Sequence, residues 1–105
     1  MIFDLRTYTL RTGSIKTFLE IYERDGLAVQ SRHLGMPVGY FTTEVGELNQ
    51  VVHLWKYSSM ADREQRRAAL EIDPQWIAYR SHSANAGLVL RQQNTILRSA
   101  PFSPL

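Results

Sequence analysis

The sequence predicts an α+β protein of the ferredoxin-like class, with strands and helices in the order β-α-β-β-α-β. Three observations carry that prediction. Residues 2–11 alternate in the manner of a strand and are rich in aromatic and β-branched types. Ile15, Phe18, Leu19, Tyr22, Gly26, Val29 and His33 recur at helical spacing. Two further apolar runs lie close together between glycine-containing breaks, as in a hairpin.

The elements follow in order. Thr12-Gly13-Ser14 ends the first strand, and Thr12 or Ser14 is placed to cap the helix. Gly26 lies on the apolar stripe and marks either close packing or a break after Asp25. Gly35-Met36-Pro37 stops the helix, since proline restricts its own backbone and that of the residue before it. Val38–Val45 and Leu48–Tyr57 read as strands joined by a short turn at Gly46-Glu47. Ser59, with Asp62 three residues on, resembles a capping box at the start of a helix reaching about Glu71. Asp73-Pro74 restarts a helix, with aspartate as cap and proline in its first turn. Trp76, Tyr79, Arg80 and Ser83 lie along one side of it. Gly87 ends it, Leu88–Arg98 form the fourth strand, and an extended tail with two prolines follows. Both crossovers should place their helices on one face of the sheet.

The length of 105 residues suits one domain, expected over residues 1–105. There is no cysteine, which excludes disulfides, thiolate nucleophiles and cysteine-bound metal. Asp4 and Arg6 interrupt the only early apolar run, so no signal peptide is expected. No apolar run approaches the ~20 residues of a membrane span. A cytoplasmic location is the expectation. A net charge of +2 does not argue for nucleic acid, and Arg63, Arg66 and Arg67 are interleaved with Asp62 and Glu64.

Neither face of the sheet is polar throughout. Ile2, Asp4, Arg6, Tyr8 and Leu10 share one side of the first strand, against Phe3, Leu5, Thr7 and Thr9. Helices cover one face only, so the other wants a cover. A second copy of the chain, packed sheet against sheet, is the expected solution.

Candidate chemistry rests on histidine and aromatic residues. His33 falls on the packing stripe of the first helix, and His53 lies two residues before Trp55 on a strand. Both are candidate proton-transfer groups, because histidine titrates near neutral pH. Tyr8, Tyr40, Asn49 and Trp55 are candidates to line a pocket for a small apolar ligand. The plain alternative is that the histidines pack or cap, and that the aromatic residues are there because strands favour them. The three histidines share no metal-ligand spacing, and no nucleotide-binding fingerprint or nucleophile elbow is present. Neither a metal nor a cofactor is expected. Haem with His33 or His53 as axial ligand is a third reading.

Several segments together resemble the NIPSNAP family. They are Leu5-Arg6-Thr7-Tyr8-Thr9-Leu10-Arg11-Thr12-Gly13, Arg32-His33 before Gly35, and the stretches Val38–Gly46 and Leu48–Tyr57. Asp62-Arg63, Arg66-Arg67, Asp73-Pro74 with Trp76, and Ile96-Leu97-Arg98 through Pro101-Phe102 are similar as well. The resemblance implies a subunit of dimeric α+β barrel type, in agreement with the uncovered sheet face. It implies no settled reaction. By analogy with that superfamily it admits a cofactor-independent oxygenase or isomerase type of activity. A non-catalytic protein–protein interaction module is the alternative.

Overall fold

The computed structural model describes residues 1–105. β1 (Ile2–Leu10) is followed by α1 (Ile15–Asp25) and α2 (Leu27–Leu34), then β2 (Gly39–Thr42) and β3 (Gln50–Tyr57). α3 (Met60–Glu71), α4 (Pro74–Ala86) and β4 (Val89–Arg98) complete the chain. The four strands form one sheet in the order β2-β3-β1-β4. Every neighbouring pair is antiparallel. This is the expected ferredoxin-like arrangement.

Pairing fixes which residues share a face. Asp4 lies opposite Trp55, Arg6 opposite His53 and Tyr8 opposite Val51. Tyr40 on β2 also lies opposite His53. This face meets the helices. On β3 its members Val51, His53, Trp55 and Tyr57 are buried, whereas Val52 and Leu54 behind them are only half-buried. Phe18, Tyr22, Val29, Leu34, Leu70, Trp76 and Tyr79 close the core from the helix side.

The first helical segment breaks at Gly26, where φ is −113° and ψ −39°. A Cβ there would lie 2.9 Å from the ring of Tyr22 and 3.1 Å from that of Tyr79. The glycine therefore lets α1 and α4 bring their tyrosines together. Neither Thr12 nor Ser14 caps α1: the Ser14 hydroxyl instead donates to the Arg11 carbonyl at 2.6 Å. The other two caps form as read. Ser59 accepts from the Asp62 amide at 3.1 Å, and Asp73 accepts from the Gln75 amide at 2.9 Å.

The hairpin differs from expectation. β2 is four residues long, and residues 43–49 link it to β3 in place of a two-residue turn. Asn49 adopts the left-handed conformation at φ 64°. Its carbonyl accepts from the Leu10 amide at 2.8 Å, and its side chain accepts from the Gly13 amide at 3.3 Å. These bonds tie the link to the end of β1, so it cannot continue the ladder with β2.

The face away from the helices carries Phe3, Leu5, Phe41, Val52, Leu54 and Leu97. Phe41 is 58% exposed and Leu97 41%. β4 is exposed along almost its whole length. No helix of the structure is long and apolar enough to cross a membrane.

Candidate functional site

A cavity of about 290 Å³ lies between the helix layer and the sheet. Arg6 and Tyr8 from β1, Tyr40 from β2 and His53 from β3 form its floor. Phe18, Tyr22 and Gln30 enclose one side. Trp76, Tyr79 and Ser83 from α4 enclose the other. Glu71, Arg80 and Gln92, all exposed, mark the mouth.

His53 is the polar group at the bottom, with 1% of its surface exposed. The Trp55 indole N–H donates to His53 Nδ1 at 2.7 Å. That bond fixes the neutral tautomer, leaving the ring proton on Nε2. Nε2 is buried and has no partner. The ring stacks on Tyr40 at 4.5 Å and meets the edge of Tyr8 at 4.8 Å. Burial, reinforced by the positive charge of Arg6, pushes the His53 pKa down to about 3. The imidazole is therefore neutral at pH 7. It offers an N–H donor and is a poor proton acceptor.

Rings continue along the wall. Tyr40 stacks on Tyr22 at 4.9 Å, Tyr22 meets Tyr79 at 5.9 Å, and Tyr79 meets Trp76 at 5.0 Å. Burial raises the phenols of Tyr22 and Tyr40 well above the usual tyrosine range and pushes Tyr79 up to about 12. All three are protonated at neutral pH. Tyr22 donates to the buried side-chain carbonyl of Gln30. The Trp76 indole nitrogen is buried without a partner, like His53 Nε2.

Arg6 is held by its neighbours on the same face of β1. It donates to Asp4 at 3.3 Å and to the Tyr8 hydroxyl at 3.4 Å. Asp4 is fully buried and also accepts from Arg63 at 3.1 Å and Asn94 at 3.2 Å. The other α3 arginines are also paired with carboxylates, Arg66 with Asp62 and Arg67 with Glu71.

Of the six residues singled out from sequence, three line the cavity: Tyr8, Tyr40 and His53. Trp55 stands behind His53 and sets its tautomer. Asn49 ties the β2–β3 link to the end of β1, away from the cavity. His33 is not at the cavity mouth. Its Nε2 meets Asp73 at 2.8 Å, which clasps the end of α2 to the start of α4. Arg32 joins at 3.0 Å, and the Asp73 pKa is lowered to about 2, chiefly by the His33 hydrogen bond. Arg6, Tyr22, Gln30, Arg67 and Trp76 also line the cavity but were not read as site residues. For Tyr22 and Trp76 the available signal was a hydroxyl- or nitrogen-bearing ring on a helix stripe; Arg6, Gln30 and Arg67 carried none. No cluster of three histidine or acidic side chains is placed to hold a metal ion.

Four antiparallel strands, helices on one face and an aromatic cavity between them define a ferredoxin-like α+β protein with a built-in small-molecule-sized hollow. Residues 3–104 match the NIPSNAP family model, and the chain belongs to that family. It is 30% identical to human NipSnap homolog 3A, over all of this chain and 42% of that protein. It is 36% identical to mouse NipSnap homolog 3B over 75 residues, covering 70% of this chain and 30% of that one. The chain thus spans under half the length of these curated relatives.

Among solved structures, it resembles a NIPSNAP family protein of unknown function from Agrobacterium tumefaciens. The identity is 41% and the TM-score 0.92, covering 100% of this chain and 93% of the other. An uncharacterized NIPSNAP-like domain protein from Burkholderia xenovorans matches at 43% identity and TM-score 0.90, covering 99% and 89%. A putative antibiotic biosynthesis monooxygenase from Nitrosomonas europaea matches at 15% identity and TM-score 0.65, covering 94% and 98%, and shares the fold alone.

Proposed function

We propose that this chain, acting as one domain over residues 1–105, binds a small and largely apolar molecule in the cavity above His53. The observation that carries this reading is the His53 ring itself. Its Nδ1 is occupied by Trp55, while its Nε2–H is buried without a partner in a residue that lines a hollow walled by aromatic rings. An orphaned buried donor costs about 1–3 kcal/mol, and a ligand oxygen would relieve that cost. The volume sits at the small end of the ~300–1,000 Å³ typical of ligand pockets.

In its catalytic form, the reading is a cofactor-independent oxygenation or isomerisation. Neutral His53 would then donate to an oxygen on which negative charge develops, in the way an oxyanion hole does. It would be a weak general base, because burial and the positive charge of Arg6 disfavour its protonated form and its Nδ1 already accepts from Trp55. A screen of small aromatic fragments against ¹⁵N-labelled protein tests the reading. The two tryptophans give two indole N–H signals. Binding should shift the Trp76 signal saturably, and Ser83→Phe, which fills the cavity, should abolish that shift. Fragments that bind only elsewhere, or shifts that survive Ser83→Phe, would contradict it.

We also propose a homodimer formed by packing the two helix-free sheet faces together. The apolar side chains of Phe3, Leu5, Phe41, Val52, Leu54 and Leu97 on that face support this. Phe41 and Leu97, exposed on the same face, support the second reading, an interaction module in which that face meets a different protein.

A further inference from the structure

From the cavity wall we infer that its ligand is a small aromatic monoanion, held through an anionic oxygen and preferred over neutral or cationic molecules of the same shape. This rests on the proposed ligand-binding role and adds the chemical class. Two independent observations support it.

The first is the hydrogen-bonding character of the wall. Four buried side-chain polar atoms in the protein lack partners, and two of them belong to cavity residues: His53 Nε2 and Trp76 Nε1. Both residues are more than nine-tenths buried. Indole nitrogen only donates, and the Trp55 bond makes His53 Nε2 a donor as well. The Gln30 side-chain carbonyl, which would accept, is already taken by Tyr22. The unmet demand is for acceptor atoms.

The second is charge. Arg6, Arg67 and Arg80 line the cavity, with Glu71 as its single carboxylate. Arg80 and Arg67 share Glu71. Arg6 and Arg63 share Asp4 beside the floor. Three guanidinium groups therefore line one small space with a single carboxylate, and a fourth, Arg63, pairs with Asp4 beside it. Positive charge in excess, in a partly desolvated pocket, favours a negative guest. The ring series from Tyr40 through Tyr22 and Tyr79 to Trp76 supplies a surface for an aromatic body.

The test uses three probes with one aromatic frame: 2-naphthoate, methyl 2-naphthoate and 2-naphthylmethylammonium. Titration calorimetry at pH 7 gives a Kd for each with the wild-type chain and with Trp76→Phe, which keeps a ring and removes the N–H. The acid should bind at least tenfold more tightly than the ester, and the ammonium most weakly. Trp76→Phe should weaken the acid several-fold and leave the ester unchanged. An ester that binds as well as the acid, or a Trp76→Phe loss equal for both, would overturn the inference while leaving the cavity reading intact. Failure of all three probes to bind would instead overturn the cavity reading and the inference with it. Should Trp76→Phe fold poorly, the wild-type comparison still decides. The acid's advantage should shrink between 50 and 300 mM salt, and an advantage indifferent to salt counts against charge selection.

Discussion

His53 should impose a pH dependence on folding that a phenylalanine in its place would remove. The folded imidazole has its pKa lowered to about 3, against 6.5 for a free side chain. Between those values the unfolded chain binds a proton that the folded chain refuses. Acid therefore favours unfolding, and stability rises with pH through this window. The full contribution is present above about pH 6.5 and is lost as pH falls toward 3. Each pH unit inside the window is worth up to about 1.4 kcal/mol for one proton. Integrated from pH 6.5 to 4.5, the loss is about 2 kcal/mol, and it changes little if the folded value lies a unit higher. His53→Phe keeps a ring against Tyr40 but deprives the buried Trp55 N–H of its acceptor. That defect costs about 1–3 kcal/mol at every pH. Urea unfolding at fixed protein concentration, at several pH values from 7 to 4.5, separates the two effects. The wild-type and variant lines should converge as pH falls, by about 2 kcal/mol at pH 4.5. Parallel lines would refute the claim that the folded imidazole is held neutral.

Three other perturbations have defined outcomes. Asp4→Asn should cost about 3–5 kcal/mol in chemical denaturation, because it leaves Arg6 and Arg63 short of their buried partner; a loss below about 1 kcal/mol would show that the pair is solvated. His33→Ala should raise the Asp73 pKa from about 2 toward the ordinary aspartate value, as read by carbon NMR titration of its carboxylate. Asp73 stabilises the fold above about pH 4 and loses that effect as pH falls toward 2, so the variant should lose it at higher pH; an unmoved Asp73 titration would place the cause elsewhere. Phe41→Glu, on the helix-free sheet face, should convert a dimer into a 12.1 kDa monomer in light scattering. A wild-type chain that is already monomeric at micromolar concentration would contradict the sheet-to-sheet dimer.

Most of the fold was legible because its signals are local. Alternation along β1 and β3 gave the strands and their faces, and the Gly26 break was visible as an interruption of an apolar stripe. Ser59 and Asp73 sit where caps are expected and do cap. The β2–β3 link misled because its length is set by Asn49, whose bonds reach Leu10 and Gly13, some 40 residues away in sequence. The site was half legible for the same reason. Tyr8, Tyr40 and His53 lie on strands whose alternation is local, and strand pairing brings them to one cavity. His33 misled because a helix stripe does not say which neighbour waits at its end; Asp73, 40 residues on, binds it first. The sequence places Arg6 only on a strand face and Trp76 only on one side of a helix, and it is the folding of α4 against the sheet that makes them walls of one cavity.

The most direct measurement of the central claim is the protonation pattern of the His53 ring, with and without a bound probe. Long-range proton–nitrogen correlation on ¹⁵N-labelled protein at pH 7 reports both ring nitrogens. Free protein should show Nε2 protonated and Nδ1 accepting from Trp55. On addition of 2-naphthoate, the Nε2–H signal should shift as the proton engages the ligand oxygen, with Nδ1 unchanged. A ring protonated on Nδ1, or an Nε2 signal indifferent to a probe that demonstrably binds, would contradict the assignment of His53 as the donor at the base of a ligand cavity.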